Sequence, residues 1–370
     1  MKKLGFGLMR LPVIDGKPDN IDLNTLSQMV DLYLERGFTY FDTSYVYHNG
    51  ASETAIREAL VKRHDRRDFL LASKFPTFIR PAEDQVENIF QEQLDKCGVE
   101  YFDYYLLHNL NREIYATEVK DAHLFDHMKQ WKEQGKIKHI AFSYHDDAAH
   151  LDEILTEHPE VEAVQIALNY YDWEEPFMQA KKCYDVIRKH GAQVIVMEPV
   201  KGGSLASMNN EIQGIMKAQN PDLSIPSWAV RFCAGLDNIL TVLSGMSTKA
   251  QLDDNVSYME HFEPLSDKEH EVLKTVVEKL NAIPTIPCTG CRYCVDDCPM
   301  QIHIPDIFRA VNHQKQFGSE GNVDRSGYES ATREGGKASE CLHCGSCEAH
   351  CPQHIHIIEE LEDAAKRFEG

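Results

Sequence analysis

The stretch LNTLSQMVDLYLERGFTYFDTS, residues 23–44, contains the unit from which this fold is built. Apolar side chains recur three or four positions apart from Leu26 to Tyr33, and the pattern ends at Gly37, which predicts an amphipathic helix. The remainder, FTYFDTS at 38–44, is apolar almost throughout, as a parallel strand covered on both faces should be. A helix that leads directly into a buried strand indicates an α/β protein.

The same alternation of apolar runs and helical stretches continues from residue 1 to residue 265. Eight short apolar runs predict strands at residues 3–9, 38–44, 68–75, 102–108, 137–143, 163–168, 192–198 and 239–245. Stretches with helical periodicity lie between several of them, at residues 23–37, 51–63, 81–98, 125–135 and 175–191. Eight strand–helix units in this length predict a (β/α)8 TIM barrel, whose usual size is about 250 residues.

A doubly wound open sheet is the alternative architecture for this alternation. It would require a phosphate-binding fingerprint such as GxGxxG after the first strand, at the start of a helix. The sequence GFGLMR at residues 5–10 does not open a helix in that way. The barrel is therefore the predicted fold of residues 1–265.

Composition limits the classes of protein to which this chain can belong. Its 370 residues are 42% hydrophobic and 26% charged, as in a globular protein, and they exceed the size of one average domain. The net charge of −21 argues against nucleic acid and anionic membrane surfaces as main partners, since both attract basic patches. No stretch has the roughly 18 to 20 apolar residues of a membrane span, and the N-terminus lacks the features of a signal peptide. We therefore expect a soluble cytoplasmic protein with no nucleic acid or membrane partner.

The chain changes character after the predicted barrel. Residues 266–284 have the pattern of a connecting helix, and residues 285–370 form a second predicted domain. Eight of the 11 cysteines fall in two runs within that domain, CTGCRYCVDDCP at 288–299 and CLHCGSCEAHCP at 341–352. A polar, glycine-rich stretch at 317–340 separates the runs and is predicted to be a loop. Clustered cysteines in an intracellular protein indicate metal binding rather than disulfides.

Both cysteine runs have the spacing C-x2-C-x2-C-x3-C-P, which is typical of [4Fe–4S] ligation. Three thiolates two residues apart let a tight loop wrap one face of a cubane, while the fourth cysteine ligates the other cluster in two-cluster ferredoxins. Zinc is the alternative, because C-x2-C pairs commonly bind it. The repeated spacing favours iron–sulfur, and the segment resembles a helical two-cluster ferredoxin module. The predicted ligands of the first cluster are Cys288, Cys291, Cys294 and Cys351, and those of the second are Cys341, Cys344, Cys347 and Cys298.

Four side chains with acid–base chemistry follow three successive predicted strands of the barrel: Asp42, Tyr47, Lys74 and His108. Active sites of such barrels lie at the carboxyl ends of the strands. A tyrosine with an ordinary pKa of about 10 is a poor acid at neutral pH, and a neighbouring ammonium group lowers that pKa. A carboxylate can hold the ammonium in place, and a histidine can donate a hydrogen bond to a substrate oxygen. The set predicts proton transfer.

The stretch FDTSYVYHNGASETAIREAL, residues 41–60, resembles the FDTA-x-x-YG…SE…AL signature of the aldo/keto reductase family, and the similarity extends over roughly residues 1–260. The resemblance implies a TIM-barrel oxidoreductase that transfers hydride between NADPH or NADH and a small carbonyl or alcohol substrate. It implies that Tyr47 is the acid/base and that Lys74 lowers its pKa. Asp42 would pair with Lys74, and His108 would orient the carbonyl.

The same resemblance implies a set of nucleotide contacts. Two polar residues, on the fifth and sixth strands, would hold the carboxamide, glycines after the seventh strand would line the pyrophosphate, and the stretch GMSTKAQLDDN at 245–255 would bind the adenosine end. The implied contacts are Ser143, Gln165, Met197, Gly202, Gly203, Leu205, Gly245, Ser247, Lys249, Gln251 and Asn255.

Four positions depart from the family pattern. Met197 stands where an aromatic side chain often stacks on the nicotinamide. His48 stands after the acid tyrosine in place of glycine, and Tyr144 follows Ser143 in place of asparagine. Gln251 stands where an arginine commonly faces a 2′-phosphate, which leaves the choice between NADPH and NADH open.

A nicotinamide reductase has no need of the cysteine-rich domain, because hydride transfer moves two electrons at once and clusters pass one at a time. The clusters either stabilise a small domain, sense redox state, or connect the barrel to an external ferredoxin or flavodoxin. The last role requires a flavin in the barrel, and TIM barrels commonly bind phosphate groups after strands seven and eight. Two alternative functions therefore remain open: a flavin-containing, ferredoxin-linked reductase and a non-catalytic iron–sulfur redox sensor.

Overall fold

The computed structural model describes residues 1–175, 178–318, 323–333 and 335–370. By backbone contacts the chain divides into two compact units. The first consists of Met1–Pro199 and Ser227–Leu265, and the second of Val200–Pro226 and Ser266–Gly370. The segment 200–226, which lies within the predicted barrel domain at residues 1–265, belongs to the second unit by this division. The predicted domain boundaries rest on sequence pattern and stay predictions.

The first unit contains a closed barrel of eight parallel strands, in which each strand pairs with the next and the last pairs with the first. The strands are β1 (Leu4–Gly7), β2 (Tyr40–Asp42), β3 (Leu70–Phe75), β4 (Phe102–Leu110), β5 (Ile137–Tyr144), β6 (Ala163–Ala167), β7 (Gln193–Met197) and β8 (Ile239–Gly245). Each lies on one of the eight predicted runs, so the predicted TIM barrel is confirmed.

The helices that alternate with these strands are α1 (Leu23–Glu35), α2 (Ser52–Ile56), α3 (Glu83–Cys97), α4 (Arg112–Ile114), α5 (Leu124–Glu133), α6 (Ala148–Glu157), α7 (Ala180–Lys189), α9 (Ile225–Gly235) and α10 (Lys249–Met259). Helix α1 buries the four apolar residues that its periodicity selects, and the Asp22 side chain caps it by accepting from the Thr25 N–H. Helix α2 continues as a π-helical segment at Arg57–Val61. Residues 176–177 of the helix predicted at 175–191 lie outside the described residues.

The interior of the barrel is filled by side chains. Tyr40, Tyr104, Leu106 and Ile195 are among the buried residues of one interior cluster. Because all strands are parallel, their carboxyl ends meet at one rim of the barrel. This rim is where β2 ends with Asp42.

The second unit is mainly helical. Its helices are α8 (Asn210–Gln219), α11 (Asp267–Asn281), α12 (Tyr293–Asp296), α13 (Ile304–Phe317), α14 (Val323–Ala331), α15 (Ser346–Ala349) and α16 (Ile357–Phe368). The helix predicted at 266–284 corresponds to α11, which begins with a capping box between Ser266 and Glu269. One cluster of buried side chains in this unit includes Ile302, Phe308 and Leu361.

Helix α14 corrects the loop predicted for residues 317–340. Polar and glycine-rich composition indicated a loop, but Tyr328 and Ala331, three positions apart, are buried in the core of the unit. Helix α14 packs beside α13, since a Cβ on Gly327 would lie at ordinary contact distance, 3.6 Å, from the Cβ of Ala310. Residues 319–322 and 334 of the predicted loop lie outside the described residues. Across the described part of the chain, no helix combines the length and the hydrophobicity that crossing a membrane requires.

Candidate functional site

A fully buried ion pair lies at the carboxyl end of β2 and β3. Lys74 Nζ donates to Asp42 Oδ1 at 2.5 Å, to the Thr43 carbonyl at 2.8 Å and to the Tyr47 hydroxyl at 3.2 Å. Burial alone would lower the pKa of Lys74, but Asp42 and Tyr47 outweigh burial and raise it above its ordinary value. Lys74 is therefore an ammonium group with all three protons donated.

Tyr47 lies directly against this ammonium. Lys74 Nζ is 4.7 Å from the centroid of the tyrosine ring as well as 3.2 Å from its oxygen. Burial raises the pKa of Tyr47, and Lys74 lowers it only in part, so the net pKa lies above 10.0. The ammonium thus acts in the direction that the resemblance implies, and the desolvation of the buried phenol outweighs it. Tyr47 keeps its proton at neutral pH and can donate it.

His108, on β4, completes the group. Its ring centroid is 5.9 Å from that of Tyr47, and the two rings meet edge to face at 82°. Burial, with additional effects of Lys74 and His145, lowers the pKa of His108 to about 2. The imidazole is neutral at neutral pH and can act as a hydrogen-bond donor, not as a cationic acid.

Two other polar side chains close to Tyr47 in sequence, Tyr45 and His48, make hydrogen bonds outside the candidate site. The Tyr45 hydroxyl lies 3.3 Å from Glu92 Oε2 on α3. His48 uses both ring nitrogens on the loop after β1, since Nε2 accepts from the Leu11 N–H at 2.9 Å and Nδ1 lies 2.6 Å from the Pro18 carbonyl. His48 thus fastens this loop to the segment that carries Tyr47, a role that sequence reasoning missed because it depends on a contact across 37 residues.

A buried network of hydrogen bonds contacts β3, the strand that carries Lys74. Gln93 Nε2 donates to Glu53 Oε1 at 2.7 Å and to the Lys74 carbonyl at 3.1 Å, while Ser73 Oγ donates to Glu53 at 2.7 Å. None of these residues stands out individually in the sequence. The SE pair within the quoted motif, at residues 52–53, was the available signal.

The candidate carboxamide contacts lie side by side on the barrel. Ser143 of β5 and Gln165 of β6 are partners in the strand register, and both are buried. Ser143 Oγ accepts from the Asn109 N–H at 2.7 Å, and Gln165 lowers the pKa of Asp42, which burial raises overall. Met197 ends β7.

The stretch implied for the adenosine end, residues 245–255, is held mainly by hydrogen bonds between neighbouring residues of the same stretch. Gln251 Oε1 accepts from the N–H groups of Ser247 at 2.8 Å and Thr248 at 3.2 Å, as the third residue of a capping box on α10. Asn255 Nδ2 donates to Ser244 Oγ at 2.8 Å, and a Cβ on Gly245 would lie 3.1 Å from the Arg10 side chain. Lys249, the first residue of α10, is exposed. Gln251 therefore caps the helix at the position where the family pattern has an arginine.

The glycine-rich segment proposed for the pyrophosphate belongs to the second unit. Gly202 and Gly203 have φ angles of 67° and 108°, a left-handed backbone that favours glycine. Leu205, two positions further, is fully buried.

The eight cysteines of the second unit line two small pockets. Each pocket takes three cysteines from one run and the fourth from the other run, which is the arrangement predicted for two-cluster ligation. In each set one cysteine is buried, Cys294 and Cys347, and one is exposed, Cys291 and Cys344. The first pocket is lined by Cys288, Cys291, Cys294 and Cys351, and the second by Cys298, Cys341, Cys344 and Cys347. Four thiols around one largely apolar pocket fit an iron–sulfur cluster as donor set.

Fold and site together define a parallel-barrel oxidoreductase joined to a cysteine-rich domain. The aldo/keto reductase family model matches residues 3–278, more than half of the chain. The chain belongs to the aldo/keto reductase family. A second model, the 4Fe-4S dicluster domain, matches residues 287–356, so the chain also carries an iron–sulfur domain.

The chain is similar to its relatives at low sequence identity. The "Uncharacterized oxidoreductase YqkF" of Bacillus subtilis is 21% identical over 286 residues, which are 69% of this chain and 86% of that protein. "Aldo-keto reductase yakc", an NADP(+) enzyme by name, from Schizosaccharomyces pombe, is 28% identical over 151 residues, so the match spans only 42% of its length and 38% of this chain. A crystal structure of an aldo-keto reductase from Klebsiella pneumoniae in complex with NADPH has a TM-score of 0.59 at 15% identity, over 74% of this chain and 90% of that one. At this identity the structural likeness concerns the fold.

Proposed function

We propose that this chain reduces a small carbonyl compound, or oxidises the corresponding alcohol, with NADPH or NADH and with Tyr47 as acid/base. The proposal rests on one observation: the Tyr47 hydroxyl lies 3.2 Å from a buried ammonium, Lys74, which Asp42 holds at 2.5 Å. A phenol that is protonated at rest and next to a fixed positive charge can give up its proton as the substrate oxygen becomes negative.

In this mechanism each residue has one task. A bound nicotinamide would supply hydride to the carbonyl carbon. Tyr47 donates its proton to the carbonyl oxygen, and Lys74 stabilises the resulting phenolate until solvent reprotonates it. His108, neutral, donates a hydrogen bond that orients the carbonyl, and Asp42 keeps Lys74 in place. Ser143 and Gln165 would hold the carboxamide.

We further propose that the second unit holds two [4Fe–4S] clusters, one in each pocket. The alternative function is a flavin-containing reductase in which these clusters exchange electrons with an external carrier such as ferredoxin or flavodoxin. Clusters supply one-electron chemistry when bound. The two complete cysteine sets support this role, since a relay uses both clusters whereas a purely structural role needs no second one. A flavin in the barrel would be required to join this chemistry to hydride transfer.

The direct test is an anaerobic assay on the purified chain with its iron. We expect benzaldehyde to cause oxidation of NADPH or NADH in equal amount to the alcohol formed. Spectra of the same sample report the cofactors: a flavin band would favour the ferredoxin-linked reductase. Brown protein that binds neither nucleotide and reduces no carbonyl would favour the non-catalytic sensor and refute the proposal.

Carbonyl reduction is expected to be nearly independent of pH between about pH 5 and 9. It requires protonated Tyr47 and neutral His108, and burial raises the pKa of Tyr47 above its ordinary value while the pKa of His108 is lowered to about 2. Both groups are therefore in their active forms throughout this range, and the rate falls only at high pH as Tyr47 loses its proton. The measurement is kcat at saturating nucleotide.

The control for this profile is His108→Gln, which keeps an N–H donor and removes the titrating ring. Its profile should be parallel to that of the wild type at a lower rate. A fall in wild-type kcat below about pH 6.5 that is absent from the variant would show that His108 titrates normally and contradict the prediction.

A further inference from the structure

Ser44 lies between the ion pair and the histidine of the candidate site. It follows Asp42 by two positions, it is fully buried, and its Oγ is 3.0 Å from Nδ1 of His108. Within the part of the chain that the structure describes, Nδ1 is the one hydrogen-bond partner of this hydroxyl. The family signature to which residues 41–60 are similar has alanine at this position.

The hydrogen bond decides which ring nitrogen of His108 carries the proton. A neutral imidazole has one N–H and one acceptor nitrogen, whereas a serine hydroxyl has one proton to donate. If Nδ1 carried the proton, the Ser44 hydroxyl would be a buried donor without an acceptor, which is costly. If Ser44 donates to Nδ1, both groups are satisfied and the proton of the imidazole lies on Nε2.

No other contact of His108 fixes this choice among the described residues. Thr77 Oγ1 donates to the backbone carbonyl of His108, and the Phe78 ring packs edge-on with centroids 5.4 Å apart. These contacts hold the backbone and the plane of the ring, and neither addresses a ring nitrogen.

We propose that Ser44 is a positioning residue that selects the Nε2–H form of His108 by donating to Nδ1, so that Nε2–H is available to a carbonyl oxygen. The inference rests on the proposed function for its catalytic meaning, while the hydrogen bond itself can be tested without activity. It predicts that Ser44 acts on the orientation of the substrate and not on the binding of the nucleotide.

The first test is ¹⁵N NMR of the full, cluster-containing chain labelled at histidine. The chain has 18 histidines, so the His108 signals are assigned as those lost in His108→Gln. In the wild type we expect an unprotonated Nδ1 and a protonated Nε2. Ser44→Ala should give a mixture of both tautomers, and Ser44→Thr, which keeps the hydroxyl, should restore the single form.

The second test is activity with benzaldehyde. Loss of one hydrogen bond at the site should lower kcat about tenfold in Ser44→Ala, with nucleotide Kd unchanged and kcat recovered in Ser44→Thr. Ser52→Ala is the matched control, because its hydroxyl bonds Thr43 at 2.8 Å and does not contact His108. It should lose similar thermal stability with the tautomer unaltered.

Either of two results would overturn the inference: a wild-type His108 with its proton on Nδ1, or a Ser44→Ala variant with unchanged tautomer and unchanged kcat. The proposed function fails on a different observation, namely full carbonyl reduction by Tyr47→Phe. The tautomer signals test the inference about Ser44 independently of the proposed function.

Discussion

Replacing Tyr47 by phenylalanine is expected to lower kcat for carbonyl reduction by about 10²- to 10⁴-fold, the usual contribution of a general acid. The substitution removes only the hydroxyl that lies 3.2 Å from Lys74 Nζ. The ring, whose centroid is 4.7 Å from the same nitrogen, remains over the ammonium. Asp42 and Lys74 should therefore stay paired, and the loss should fall on the chemical step.

The measurement is the rate of benzaldehyde-dependent oxidation of NADPH or NADH, together with nucleotide Kd from fluorescence titration. Kd should be nearly unchanged. Tyr45→Phe is the matched control, because it removes the same hydroxyl two positions away, where the group faces Glu92 at 3.3 Å. It should keep near wild-type kcat, and the reverse pattern would assign the acid to Tyr45.

Replacement of Lys74 would be a less specific test of the acid than replacement of Tyr47, because it also affects folding. Asp42 would then be a buried carboxylate without its counter-charge, and breaking a buried ion pair costs roughly 3–5 kcal/mol. An inactive Lys74 variant could therefore be unfolded, whereas Tyr47→Phe leaves every buried charge paired. The phenylalanine variant is for this reason the sharper test of the acid.

The barrel was predictable because a strand that is buried on both faces is apolar along nearly its whole length, and this pattern is visible in the local sequence. Runs such as FDYYLLH at 102–108 are apolar without alternation, and eight such runs can close a sheet. The sequence of helix α14 has a weaker pattern, because the segment is polar and glycine-rich. Its stability comes from Tyr328 and Ala331 against the core of the second unit, a tertiary contact that polar composition conceals.

The residue types of the candidate site were also readable, since each stands at the end of a predicted strand. The sequence could not predict the pKa values of these side chains, because those values depend on how deeply each group is buried. Desolvation raises the pKa of Tyr47 despite Lys74, and it makes His108 neutral. The contacts of Ser44 and His48 were out of reach for a related reason, because each joins segments at least 30 residues apart.

Pairs of cysteine substitutions are expected to show that each cluster draws ligands from both runs. The first pocket takes Cys291 from one run and Cys351 from the other, whereas Cys298, in the same run as Cys291, lines the second pocket. Two clusters correspond to about eight iron atoms per chain. Loss of one ligand should remove one cluster and about four irons.

The double variants separate the two ligation schemes. Cys291→Ala with Cys351→Ala should cost no more iron than either substitution alone, because both remove a ligand of the same cluster. Cys291→Ala with Cys298→Ala should lose nearly all iron, because it damages both clusters. Iron and sulfide analysis on anaerobically purified protein gives the result, with Cys97→Ala as the control, since Cys97 is a buried thiol of the barrel unit. The opposite pattern would mean that each run holds its own cluster, and zinc in place of iron would exclude both schemes.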